Sequence, residues 1–162
     1  MSPDGIMKGK KGAIAMTQIV RFQKLDQRAV QPHYGSADAA GADLYAVLDA
    51  PLTLDPGETA LVHTGLAIEI PVGFVGLVCA RSGLATKRGL APANKVGVID
   101  ADYRGEIMVA LHNHSMISQT IEHGERVAQL LLIPYLTAAY EEADDLSDTE
   151  RGGGGFGSTG RK

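Results

Sequence analysis

The sequence lacks the features that build membrane-spanning or disulfide-linked proteins. It has no tryptophan, 5% aromatic residues and one cysteine, Cys79, among 162 residues. One cysteine cannot form a disulfide within the chain, and its apolar surroundings favour a buried hydrophobic role. No run approaches the ~18 apolar residues of a membrane helix, and the N-terminus lacks the apolar stretch of a signal peptide. These absences predict a cytoplasmic protein that does not bind membranes.

An excess of positive charge is also missing. The chain has 15 basic and 19 acidic residues, which gives a net charge of −4 at pH 7, and no basic block. Because nucleic-acid binding depends on clustered cations that face phosphates, this balance predicts no nucleic-acid partner. Any bound phosphate would have to be held by a few well-placed cations and backbone amides.

Glycine and proline, by contrast, are abundant, with 20 and 7 residues, and they separate short β-rich runs. We predict strands at 19–22, 43–48, 59–63, 66–70, 74–79, 106–113, 120–121 and 126–133. One internal segment, 82–88, has a helical pattern, with Ser82 as a suitable N-cap and Gly89 as the stop. Since the repeated helices of a parallel α/β sheet are absent, the fold class is all-β, a barrel or a sandwich.

Composition divides the chain into three parts. Residues 1–15 are predicted to be a disordered leader, an added extension or an upstream start. Residues 16–140 form the β domain. Residues 141–162 form an acidic linker, with six acids and no base up to residue 150, and then a flexible glycine-rich arm.

The glycine-rich arm has one feature that a purely solvating tail does not need. Phe156 stands between glycines, Arg151 precedes it, and Ser158 and Thr159 follow it. An aromatic ring and a cation in this position favour an arm that closes over a site.

Two segments place polar residues where apolar strands end. Arg81 and Ser82 open the helix, where a guanidinium and helix amides can bind an anion, although such residues also occur for structural reasons alone. Asp100 follows an apolar strand and is expected to be shielded, so its carboxylate can deprotonate a water as a general base. Asp102 lies deeper in the turn and can equally cap it, while Tyr103 offers a flat face for a sugar or a base.

The remaining polar candidates are less specific. Gln129 interrupts an apolar run and needs hydrogen-bond partners, which can be backbone or ligand. The five histidines show no metal-ligand grouping. No G-x-S-x-G elbow and no P-loop occurs in the sequence.

Five segments, taken together and in order, resemble the signature motifs of the trimeric dUTP pyrophosphatase (dUTPase) family. They read AGADLYA (40–46), ARSGLA (80–85), GVIDADYRGE (97–106), GERVAQLL (124–131) and RGGGGFGSTG (151–160). The resemblance covers residues 18–160. The departures are small: Ala80 stands where a proline often precedes the arginine, and the leader before Met16 has no counterpart.

The resemblance implies a jelly-roll-like β fold that assembles as a homotrimer. Each active site would draw motifs from more than one subunit, and the C-terminal arm would close over a neighbour's site. The implied activity is that of a dUTP diphosphatase, which converts dUTP and water to dUMP and pyrophosphate with Mg²⁺. Such an enzyme would limit uracil in DNA and supply dUMP for thymidylate synthesis.

The resemblance also implies roles for individual residues. Asp100 would hold the attacking water in line with the α-phosphorus, and Asp43 would position Mg²⁺ through water. Tyr103 would pack beneath the deoxyribose and leave no space for a 2′-hydroxyl. The phosphates are expected at Arg81, Ser82, Gly83 and Gln129, uracil and sugar at Asn94, Gly97, Val98, Ile99 and Met108, and the arm contacts at Arg151, Phe156, Gly157, Ser158 and Thr159.

Two alternatives stay open at this point. One is a dCTP deaminase, or a bifunctional relative, on the same kind of fold. The other is a non-catalytic module that keeps the nucleotide pocket. The segment 97–106 together with the glycine-rich arm favours the pyrophosphatase.

Overall fold

A computed structural model describes residues 18–155 and shows eleven strands and one helix there. The elements are β1 (Arg21–Lys24), β2 (His33–Tyr34), β3 (Ala42–Tyr45), β4 (Leu52–Leu54), β5 (Thr59–Glu69), β6 (Phe74–Cys79), α1 (Ser82–Arg88), β7 (Leu90–Pro92), β8 (Val96–Ile99), β9 (Glu106–Asn113), β10 (Gln119–Ile121) and β11 (Arg126–Pro134).

The strands form two main antiparallel sheets. The first sheet has the order β1-β5-β9-β7 and the second has the order β2-β3-β11-β6-β8, while β10 and β4 form a small third pair. The described strands do not close into a barrel. The all-β prediction is therefore confirmed in its sandwich form, with a jelly-roll-like arrangement.

The core lies between the sheets and follows the period-two pattern of the strands. In β9, Ile107, Val109 and Leu111 are buried, whereas Met108 between them is exposed. The opposite sheet contributes residues such as Leu44 to the same cluster. Alternation of this kind leaves one face of β9 for the core and the other for a site.

Strand β5 is continuous where the sequence predicted a break between two strands. The sequence indicated two strands, but the structure has one strand with a register shift between His63 and Ala67 against β9. Gly65 has a φ of 66° there, a conformation that favours glycine. The predicted break is a β-bulge, which adds residues to one strand without ending the pairing.

Helix α1 has the predicted bounds and ends at Gly89, whose φ is 66°. The N-cap prediction is wrong, because Arg81 occupies that position with no side-chain capping bond and Ser82 is the first helical residue. With seven residues, the one helix in the described part of the chain is too short to cross a membrane.

Three short strands differ from the sequence prediction, and two terminal segments lie outside the described residues. Strands β2, β4 and β7 were not predicted, and Cys79 is half-buried rather than fully buried. The leader at 1–15 and the arm residues Phe156, Gly157, Ser158 and Thr159 lie outside the described residues. From 135 to 155 the chain forms no strand or helix.

Candidate active site

A cavity of about 270 Å³ lies where β8 of the second sheet approaches β9 and β5 of the first. We call it the hairpin cavity. It is lined by Leu61, Asn94, Val98, Ile99, Asp100, Tyr103, Glu106, Met108 and Ala110. Six of the residues predicted from the sequence therefore lie together. Gly97 lies on β8 directly before the lining residue Val98 but is not itself part of the lining.

The turn from Asp100 to Gly105 is held by its own hydrogen bonds. The Tyr103 N–H donates to the Asp100 carbonyl (3.2 Å), and the Tyr103 hydroxyl donates to the carbonyl of Glu106 (2.9 Å). Arg104 donates to the Ala101 carbonyl (2.7 Å). A side chain at position 105 would overlap the Tyr103 hydroxyl and come within 2.6 Å of its ring carbon Cζ, so glycine there lets the Tyr103 ring keep this position.

Much of the cavity wall is open to solvent in a single chain. Asp100 is exposed, contrary to the shielding that its apolar neighbours predicted. Val98 is 62% exposed and Leu61 is 58% exposed. Exposed apolar walls of this kind indicate a surface that a ligand or another chain covers.

A second cavity, of about 240 Å³, contains the cationic residues. We call it the anion cavity. It is lined by Gly35, Ala39, Gly41, Asp43, Arg81, Ser82, Gly83, Arg126 and Gln129. All five residues that the sequence placed near the phosphates or the metal lie here, and Arg126 joins them without having been predicted.

Strand register explains how the anion cavity is assembled. Gln129 of β11 pairs with Asp43 of β3 on one side and with Cys79 of β6 on the other. Cross-strand partners point to the same face of a sheet, and Arg81 lies two residues beyond Cys79 on that face. Three strands thus converge on one site.

Arg126 reaches the same face only because β11 is irregular. It lies three residues before Gln129, a spacing that strict alternation would place on opposite faces. The register between β11 and β3 shifts between Arg126 and Ala128, so Arg126 pairs with Tyr45. This bulge turns the guanidinium toward Asp43.

Asp43 is clamped between two arginines. Its Oδ1 accepts a hydrogen bond from Arg81 Nε (2.7 Å) and its Oδ2 accepts one from Arg126 Nη1 (3.1 Å), with its side chain only 11% exposed. The pair of charge-assisted contacts fixes both guanidinium planes. With two cations against one carboxylate, the cavity keeps a net positive charge for an anion.

Gln129 and the start of α1 add neutral donors. The Gln129 side chain donates to the Ala80 carbonyl (2.8 Å) and passes over Gly41, where a Cβ would lie 2.5 Å from its Oε1. The first N–H groups of a helix have no carbonyl partner inside it. Those of Ser82 and Gly83 are therefore available to an anion in this cavity.

The residues present suit a hydrated metal better than a directly coordinated one. Among the described residues, no group of three or more His, Cys, Asp or Glu side chains could hold a metal ion. Asp43, the only carboxylate among the described residues that line the anion cavity, already accepts an arginine hydrogen bond at each oxygen. Each oxygen has a further lone pair, so Asp43 can accept from a water of Mg²⁺, an ion that keeps several waters.

Arg81 of the anion cavity and Asp100 of the hairpin cavity lie beyond opposite ends of one strand ladder. Register pairs Cys79 with Val96 and Gly76 with Ile99, so Arg81 lies beyond one end and Asp100 beyond the other. At about 3.3 Å per residue, roughly six residues separate them by ~20 Å. The cavities share no lining residue. Within one chain, therefore, an anion at Arg81 is out of reach of Asp100.

Arg151 is the one described residue of the arm with a predicted role, and it lines neither cavity. Its Nε donates to the Gly154 carbonyl (2.7 Å) in a local turn. Besides Arg126, the sequence also missed Leu61 and Glu106. Both point outward from β5 and β9 toward the hairpin cavity, which the period-two pattern of these strands could have indicated.

Comparison with known proteins gives one consistent result. A family model described as dUTPase matches residues 27–160. A deoxyuridine 5′-triphosphate nucleotidohydrolase from Desulfitobacterium hafniense is 49% identical over 142 residues, covering 87% of this chain and 94% of the relative. One of the same name from Acinetobacter baylyi is 44% identical over 148 residues, covering 88% and 99%. A solved structure of the Staphylococcus bacteriophage 80alpha dUTPase with dUPNHPP matches with a TM-score of 0.81 at 30% identity, covering 89% and 99%.

Proposed function

This chain belongs to the dUTPase family, and from that premise we propose how its two cavities hydrolyse dUTP to dUMP and pyrophosphate. The observation that carries the proposal is the grouping of Asp100, Asn94 and Tyr103 on one cavity and of Arg81 and Gln129 on the other. By removing dUTP, the enzyme limits uracil in DNA, and its product dUMP feeds thymidylate synthesis. The cytoplasmic location stays a prediction from the sequence.

The hairpin cavity is proposed to bind uracil and deoxyribose. The backbone of β8 from Gly97 to Ile99 and that of Met108 would present fixed donors and acceptors to the base, with Asn94 at the rim. Cytosine would leave several of these groups unpaired, and sites of this kind discriminate strongly. Tyr103, held by its hydroxyl, would form the floor beneath the sugar.

The anion cavity is proposed to bind the triphosphate. Arg81 and Arg126 supply charge, the amides of Ser82 and Gly83 supply neutral donors, and Gln129 supplies its side-chain amide. The planar guanidinium matches the geometry of phosphate oxygens. Because Asp43 pairs with both arginines, their guanidinium groups are already in place when the substrate binds.

Asp100 is proposed as the general base. Its carboxylate would accept a proton from a water that attacks the α-phosphorus. The new oxygen–phosphorus bond forms as the bond between the α-phosphorus and the bridging oxygen breaks, and pyrophosphate leaves with that oxygen. Arginine and amide donors stabilise the charge that shifts onto the leaving group.

The separation of the cavities supports a site shared between copies of the chain. Reacting atoms must come within about 3–3.5 Å, whereas Asp100 and Arg81 of one chain lie beyond opposite ends of the β6–β8 ladder. A head-to-tail ring of three chains would bring the hairpin cavity of one copy to the anion cavity of the next. The arm, with Arg151, Phe156, Gly157, Ser158 and Thr159, would then close over the bound nucleotide and exclude water.

Mg²⁺ is proposed as the cofactor, held through water by Asp43 and otherwise by the substrate phosphates. When bound, it neutralises charge on the triphosphate.

The experiment that tests this function is pyrophosphate release by the full chain with Mg²⁺, with dUTP, dCTP, dTTP and UTP in parallel. Release from dUTP alone is expected. Ammonia release from dCTP would instead indicate a deaminase. Tight dUTP binding with no pyrophosphate from any nucleotide would indicate a binding module.

A further inference from the structure

We propose that Glu106 is a positioning residue that fixes the Tyr103 ring and so sets the preference for deoxyribose over ribose. The inference rests on the proposed function, in which Tyr103 lies beneath the sugar. Glu106 is the first residue of β9 and lines the hairpin cavity, yet the catalytic step has no use for a second carboxylate there. Its contacts show what it does instead.

Both carboxylate oxygens of Glu106 bind the bulge of β5. Oε1 accepts the Gly65 N–H (2.7 Å), and Oε2 lies 2.9 Å from Nδ1 of His63. The Glu106 side chain is 21% exposed, so these contacts are partly shielded from water. At the register shift the ladder cannot satisfy the Gly65 N–H, and the carboxylate takes that place.

The bulge is a firm anchor for this contact. The Gly65 carbonyl accepts the Leu25 N–H (2.7 Å), and the His63 carbonyl accepts the Val47 N–H (2.8 Å). Thr64 is fully buried, and its hydroxyl donates to the Ile107 carbonyl (2.5 Å). Several connections to different parts of the sandwich therefore hold the backbone that Glu106 grips.

The same residue holds the tyrosine through its main chain. The Glu106 carbonyl accepts the Tyr103 hydroxyl (2.9 Å), so carboxylate, backbone and phenol form one connected chain from the bulge to the cavity. Tyr103 is 41% exposed, so its hydroxyl contact contributes to holding the ring in place. The Tyr103 ring can exclude a 2′-hydroxyl from the space beneath the sugar only if the ring stays within a fraction of an ångström of its position.

The test measures kcat/KM for dUTP and for UTP in the full-length enzyme with Mg²⁺. We expect Glu106→Ala to lower the dUTP-to-UTP ratio about tenfold, since losing one partly buried hydrogen-bond acceptor corresponds to roughly that factor. The loss for dUTP should lie mainly in KM. Glu106→Gln keeps an acceptor for the Gly65 N–H and should restore most of the ratio.

The ratio separates positioning from folding. A variant that merely folds poorly loses active enzyme equally for both substrates, so its ratio stays at the wild-type value. Glu69→Ala is the matched control, because Glu69 Oε1 lies 3.8 Å from Arg104 Nη2 of the same turn, whereas the Tyr103 hydroxyl bonds the Glu106 carbonyl. His63→Ala removes only the Oε2 partner and should give a smaller decrease, which supplies a second variant if Glu106→Ala does not fold.

Tyr103→Ala distinguishes failure of this inference from failure of the proposed function. If it leaves the ratio unchanged, Tyr103 does not read the sugar, and both the role of Tyr103 and that of Glu106 are wrong. If Tyr103→Ala lowers the ratio while Glu106→Ala and His63→Ala both leave it at the wild-type value, the positioning role of Glu106 alone is overturned.

Discussion

At the scale of single residues, Asp100 carries the proposed chemical step. It lies directly after β8, at the rim of the hairpin cavity, and is exposed in one chain. We expect a carboxylate this open to solvent to act as the base for the attacking water only when a second chain and the nucleotide surround it. Under the proposed shared site, we expect the activity of Asp100 to depend on assembly as well as on its own position.

Replacing Asp100 with Asn should remove the proton acceptor and keep the shape of the side chain. We expect Asp100→Asn to fold and to bind nucleotide, with turnover at least ~10²-fold lower, because a positioned base typically contributes 10²–10⁴. Steady-state pyrophosphate release and calorimetric binding of a non-hydrolysable dUTP analogue measure the two effects separately. Turnover close to that of the wild type would remove Asp100 from the mechanism.

Arg126 is the charged residue in the lining of the anion cavity to which the sequence assigned no role. We expect Arg126→Ala to lower kcat/KM for dUTP about 10- to 100-fold, because hydrogen bonds to charged groups contribute about 1.5–3 kcal/mol. Arg21→Ala is the matched control, since the Arg21 side chain is 84% exposed and lies 3.9 Å from Glu69. Equal effects in both variants would contradict a specific role for Arg126.

At the scale of elements, two bulges decide which side chains meet. The shift in β11 brings Arg126 onto the face of Gln129, and the shift in β5 gives Glu106 its backbone partner. β-Rich runs between glycine and proline turns predicted most of the longer strands, and a helical pattern before Gly89 predicted the helix. These patterns did not predict bulges, since bulges arise from pairing between distant strands, and they did not predict β2, β4 and β7, which are too short to show a period.

The sequence likewise predicted part of the candidate site but not all of it. Motif order predicted site roles for Asp100, Arg81 and Gln129, and these residues line the two cavities. The clamp on Asp43 and the anchoring of Tyr103 by Glu106 depend on contacts between strands far apart in sequence. Such contacts leave no local signal.

The loop between β9 and β10 depends on one buried amide. Asn113 is fully buried, and its Nδ2 donates to the carbonyls of Leu54 (2.9 Å) and Ile117 (2.8 Å), while its Oδ1 accepts from the N–H of Ser115 (2.9 Å). We expect Asn113→Ala to lower the free energy of unfolding by about 2–4 kcal/mol, because several buried groups lose their partners.

Thermal unfolding at one fixed subunit concentration measures this effect, since the stability of an oligomer depends on concentration. Ser115→Ala removes a single hydroxyl and should have a clearly smaller effect. An unfolding temperature unchanged by Asn113→Ala would show that the loop does not need its buried amide.

At the scale of the whole molecule, the glycine-rich arm should act on catalysis and not on assembly. Removing residues 151–162 is expected to leave the proposed trimer intact and to reduce turnover strongly, because in the proposed function the arm covers the bound nucleotide. Sedimentation together with pyrophosphate release would show both properties. A truncated chain that unfolds or dissociates would mean that the arm is structural.

The division of the site between copies is the central claim, and mixing two inactive variants tests it most directly. Asp100→Asn spoils the hairpin cavity, and Arg81→Gln spoils the anion cavity. When the two variants are co-assembled in equal amounts, the mixture should recover about one quarter of wild-type activity. In a head-to-tail ring, one site in four then combines an intact hairpin cavity from one variant with an intact anion cavity from the other. Wild type mixed with the double variant should also retain about one quarter. Two results together would contradict a shared site. The mixture of the two single variants would stay inactive, and the mixture of wild type with the double variant would retain half of the wild-type activity.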